Sequence, residues 1–136
     1  MMVEDGLSFD EALKIDEKVW KIMPKIQSRK LRELYDIKGD TLRDLTSALR
    51  IKFEIEGYRT SIRETSEHSV QILIHGCPWL DIMKKAHRET LAGRIGERIC
   101  PTEYQGWAES FSKKIQFTLR SQLCKNETAC ELRFQE

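Results

Sequence analysis

The chain has 136 residues and 40% hydrophobic content, which suits one domain with a core of its own. Its 23 Lys and Arg against 22 Asp and Glu leave the charge near neutral, so no one-signed field would steer it to nucleic acid or to anionic lipid. The opening residues MMVEDGLSFDEALK carry acids and no continuous apolar run, which predicts neither a secretory signal nor a membrane anchor and places the chain in the cytoplasm.

Ser8 followed by Glu11 reads as a capping box. Phe9, Ala12, Leu13, Val19, Trp20 and Met23 then recur at helical spacing. Pro24 is a point where that helix kinks or divides, and Gly39 is its C-terminal stop. Thr41 with Asp44 opens a second helix, with Leu42, Leu45, Leu49 and Phe53 on one face and Gly57 at its end. The helical part covers 8–56.

From Tyr58 the period changes to two. Tyr58, Thr60 and Ile62, a polar turn from Glu64 to Ser69, and Val70, Ile72 and Ile74 predict a β-hairpin over 58–76. Helical spacing returns over 78–112 with an interruption around Gly93 and Gly96, and Tyr104, Trp107, Ala108 and Phe111 form its last apolar face. Ile115, Phe117 and Leu119, then Cys130, Leu132 and Phe134, alternate as a second hairpin over 114–135. The expected class is α+β, with helices packed on an antiparallel sheet of two hairpins in a single domain, 1–136.

The distinctive residues are Cys77, Cys100, Cys124 and Cys130. In a reducing cytoplasm they are metal ligands, reactive thiols or buried thiols rather than structural disulfides. Cys77-Pro78 and Cys100-Pro101 each place a cysteine before a proline suited to the first position of a helix, which predicts both sulfurs at helix N-termini. The dipole there favours the thiolate, the form that binds metal or attacks an electrophile. Cys124 and Cys130 flank the polar connection of the last hairpin, so its strands can bring both sulfurs near one point. As a small core hydrophobe in phase with Leu132 and Phe134, Cys130 also has a purely structural reading.

His75, two residues before Cys77, and Glu103, three after Cys100, are the candidate acids or bases. His68 in a polar turn and His87 in a Lys- and Arg-rich helix read as solvated. Trp79, Tyr104, Trp107 and Phe111 read mainly as core, with a pocket wall as the alternative. No Gly-rich phosphate loop, G-x-S-x-G elbow or H-E-x-x-H motif is present.

The run Cys100-Pro101-Thr102-Glu103-Tyr104-Gln105-Gly106, through Cys124 to Cys130-Glu131-Leu132-Arg133-Phe134, resembles the end of 4-vinyl reductase-like domains. It also resembles small archaeal proteins named after L-2-amino-thiazoline-4-carboxylic acid hydrolase. The first resemblance covers roughly the last forty residues well, and the helical first half only in outline. It implies a small-molecule-binding α+β fold with a zinc site near the ligand cavity, and Cys100, Cys124 and Cys130 as metal ligands. Ser121 stands where that pattern has a glutamate, and Cys77 is the choice for the fourth ligand. A Cys₄ set would hold zinc or an iron–sulfur cluster. The leading expectation is therefore a metal-binding domain for a small-molecule ligand. One alternative is a hydrolase of a cyclic thioamidine-type substrate, with Cys77 or Cys100 as nucleophile and His75 or Glu103 as base. The other is a sensory or partner-binding subunit, working as a homo-oligomer or beside a partner protein.

Overall fold

The computed structural model describes residues 8–136. The expected Ser8 cap is present: its side chain accepts from the Glu11 amide at the start of α1 (Phe9–Leu34). Pro24 does not divide this helix. Its ring is buried and packs on Gly106, where a Cβ would press against it. The helix ends at Leu34, ahead of Gly39, and Asp36 takes the left-handed conformation.

Helix α2 (Leu42–Glu56) begins with the reciprocal Thr41–Asp44 capping box and is closed by Gly57 in the left-handed conformation. Leu45, Leu49 and Phe53 on its inner face are fully buried. Strands β1 (Arg59–Ser66) and β2 (Ser69–Gly76) form the first hairpin. A short helix α3 (Pro78–Lys85) follows, then the long α4 (Glu89–Phe111). The break in the third helical stretch therefore lies at residues 86–88, while Gly93 and Gly96 sit inside α4.

Strands β3 (Gln116–Ser121) and β4 (Cys130–Gln135) form the second hairpin, with a 3₁₀ turn at Leu123–Lys125 between them. The hairpins join edge to edge through β2 and β4, giving the order β1-β2-β4-β3. In that register Val70 meets Phe134, Ile72 meets Leu132 and Ile74 meets Cys130. Alternation puts Val70, Ile72, Ile74, Leu132 and Phe134 on one buried face, where Leu49, Phe53, Tyr104, Trp107 and Phe111 of α2 and α4 belong to the same core. The fold is α+β, helices on one face of a four-stranded antiparallel sheet. No described helix is long and apolar enough to cross a membrane.

Candidate functional site

The inner sheet face, α3, α4 and part of α1 enclose an apolar cavity of about 400 Å³. Ile74 and Leu132 come from the sheet, Trp79 and Ile82 from α3, Ile99 and Tyr104 from α4, and Trp20 from α1. Cys77, Cys100 and Cys130 also line it, so the tertiary fold brings three of the four cysteines to one space. Cys124 is not part of that wall, but its side chain fills the place where a Cβ on Gly96, a lining residue, would sit. Gln122 fastens the same turn by donating from Nε2 to the Gly96 carbonyl at 2.8 Å.

The two Cys-Pro steps differ. Cys77 is the N-cap of α3, with Pro78 in its first turn, as its sequence predicts. Cys100 is not at a helix N-terminus. The residues from Glu89 onward are already helical, and Pro101 and Glu103 lie within α4. Its thiol therefore receives no help from a helix end. Burial, then the charge of Glu103, pushes the Cys100 thiol well above its usual range. Burial also raises Cys124, and it raises Cys130 to about 11 although the Leu123 amide donates to its sulfur at 3.2 Å. The thiolate, which the Cys-Pro dipeptide predicts at Cys100, is thus disfavoured there, and it is disfavoured at Cys124 and Cys130 as well.

The arrangement of the side chains corrects the metal reading. Among the described residues no group of three or more His, Cys, Asp or Glu side chains is arranged to hold a metal ion. Cys77, Cys100 and Cys130 share a cavity wall and Cys124 packs against Gly96 of the same lining, but no three of them are grouped to hold zinc or an iron–sulfur cluster. The four cysteines are free thiols.

Neither base candidate activates a thiol. His75 is exposed on the sheet face opposite Ile74, with its Nε2 3.0 Å from the Ser61 hydroxyl. Glu103 is committed to Lys52, 3.4 Å away, and burial raises its carboxyl despite that cation. Lys52 is the residue that periodicity missed. It is 4% exposed, bonds Glu56 at 2.6 Å, and lies over the rings of Phe53 and Tyr58 at 5.1 and 5.5 Å. Its signal was legible: it stands seven residues after Leu45 and three after Leu49, a charge on the apolar stripe of a helix. Burial and the neighbouring Cys77 and Glu103 raise the Tyr58 phenol, and Tyr104 is raised in the same way. The raised thiols of Cys100 and Cys130, the raised phenols and the raised carboxyl leave a wall suited to an uncharged, apolar occupant.

A different surface is open. Along the outside of α1, Ile15, Val19, Ile22 and Ile26 repeat at spacings of four, three and four, and Ile22 is 60% exposed. Lys14, Lys18, Lys21 and Lys25 run beside them, each exposed.

No family model matches the chain, and no curated protein does either. Among solved structures, the chain is similar to a trafficking protein particle complex subunit 3 from Naegleria fowleri, whose crystal structure is covalently bound to palmitic acid. The match has a TM-score of 0.63 over 98% of this chain and 85% of that one, at 13% identity. At that identity the likeness establishes a shared fold.

Proposed function

We propose that this chain is a partner-binding subunit of a larger protein assembly in the cytoplasm. The observation that carries this reading is the outer face of α1, where four apolar side chains form one uncovered row. Isolated surface apolar residues need no explanation, but a row at helical spacing offers another protein a contiguous strip. The lysines beside it define the partner's chemistry: an apolar centre with an acidic margin. The structural neighbour, a subunit of a complex, lends support at the level of fold.

Size in native extract tests the reading. The wild-type chain is expected to migrate in an assembly well above its own 16.0 kDa. The double variant Val19→Glu, Ile22→Glu is expected to return to monomer size while keeping its thermal transition. A wild-type chain that migrates as a monomer in extract sinks the proposal.

A second reading concerns the cavity. Its volume lies within the roughly 300 to 1,000 Å³ of small-molecule sites, and its wall is apolar, with three thiols. That combination, with the palmitic acid held by the neighbour, supports a covalently attached acyl chain as the occupant. Transfer would form a new thioester at a cavity cysteine and release the donor's thiol. Incubation with a palmitoyl thioester should add one palmitoyl group by intact mass, and this should be lost when Cys77, Cys100 and Cys130 are all Ser. An unmodified wild-type mass overturns this reading.

A further inference from the structure

The cavity between the sheet and the helices has charged lining of one sign. Asp16, Glu56 and Glu103 line it, and among the described residues no Lys, Arg or His does. Lys52 holds both glutamates from outside the lining, Glu56 at 2.6 Å and Glu103 at 3.4 Å. One ammonium thus serves two carboxylates. Asp16 is a third. On the same helix Asp10 is paired with Arg94 and Glu17 with Arg98, whereas Asp16 has no such partner among the described residues. The three acids differ in depth: the Glu103 side chain is 12% exposed, Glu56 is 38% exposed, and Asp16 is half-buried.

Asp16 and Trp20 stand four residues apart on α1, so they share one face of that helix, and both line the cavity. A carboxylate and an indole together suit an ammonium group, the first by charge and the second through its π-face. A free carboxylate head would meet like charge at Asp16 and Glu56 and find no cation in the lining to offset its lost water. A neutral head would gain nothing from Asp16. Deeper in, the apolar wall of Ile74, Ile99 and Leu132 suits a hydrocarbon chain and no charge.

We propose that the cavity takes single-chain amphiphiles with a cationic amine head, the chain against Ile74, Ile99 and Leu132 and the ammonium beside Asp16 and Trp20, and that it refuses free fatty acids. The proposal rests on the second reading above, that an apolar chain occupies this cavity, and adds the sign of the head. An acyl chain would then have to arrive as an uncharged thioester.

The test compares decylamine, decanol and decanoate, each below its aggregation concentration, on the full chain labelled with nitrogen-15. Trp20 and Trp79 line the cavity and Trp107 does not, so two of the three indole N–H signals report on it. Trp20→Phe and Trp79→Phe assign them. Decylamine is expected to shift both saturably and to bind about tenfold more tightly than decanoate, with decanol between, since one attraction is gained and one repulsion avoided at a half-buried site. Asp16→Asn should shrink that ratio by about two- to fivefold and leave decanol unchanged. The apolar row outside α1 cannot imitate this result, because the lysines beside it favour the carboxylate. Decanoate binding as tightly as decylamine overturns the proposal, and so does an Asp16→Asn chain with an unchanged ratio. If all three probes bind alike, the cavity still holds an apolar chain and the selection by charge alone is lost. If none shifts Trp20 or Trp79, the proposal fails, while palmitoyl addition by intact mass decides the acyl reading separately.

Discussion

Cys77-Pro78 and Cys100-Pro101 are the same dipeptide in two different places. Before Cys77 the chain leaves β2, so nothing upstream is helical, and Pro78 starts α3 with the φ it already favours. Before Cys100 the chain has been helical since Glu89, and Ala92 and Ile99 are already buried. Packing there carries the helix through Pro101, although the ring forfeits one backbone hydrogen bond. The result is one sulfur at a helix start and one on the flank of a helix, against the core. A proline motif reports a local preference, and the burial of the residues before it decides whether that preference is obeyed.

Introducing a charge separates the two positions most strongly. Cys100→Asp should destabilise the fold by about 3 kcal/mol or more, because the carboxylate would be largely desolvated near Glu103. Cys77→Asp should cost clearly less, because an aspartate there would cap α3 and meet its dipole, which offsets part of its desolvation on the cavity wall. Urea denaturation of both variants checks the pair; equal effects would erase the distinction.

The prolines should diverge with a smaller spread. Pro101→Ala restores a helical N–H in the interior of α4 and should raise stability by about 1 to 3 kcal/mol. Pro78→Ala should lower it by about 0.5 kcal/mol through a looser unfolded chain. Thermal unfolding of the two variants reads the difference in sign.

The smallest effect is kinetic. Alkylation by iodoacetamide at pH 8 should modify Cys77 first and Cys100 and Cys130 slowly, because the thiolate is the attacking form and burial holds the latter two protonated. The Cys130 rate should climb towards pH 11, where its thiol ionises. The same shift costs stability in alkali. A thiol whose folded pKa is raised contributes fully below its unfolded value near 9, and that contribution fades as pH rises towards about 11. Peptide mapping of alkylated protein over time checks the order; Cys100 reacting as fast as Cys77 would contradict its enclosure.

Local signals placed most of the elements well. The Ser8 cap, the Thr41–Asp44 capping box and Gly57 were legible because a cap involves residues three or four apart. The alternation at Val70, Ile72 and Ile74 was legible because a strand with one buried face must repeat every second residue. The site was less legible. That three cysteines share a wall could be suspected from their rarity, but the raised thiols of Cys100 and Cys130 could not, since they come from side chains distant in the chain. Metal ligation was inferred from residue type and from the resemblance, and the described residues form no grouping arranged for it.

By itself, then, the sequence determined the helical and extended segments, most of their caps and the α+β class, since each depends on periodicity and contacts within a few turns. Only the tertiary structure decided that β2 pairs with β4, that Cys100 lies inside a helix, and that Lys52 is buried between two carboxylates. Those outcomes depend on which distant surfaces exclude water together, as where Val70 meets Phe134, and short-range patterns carry little of that information.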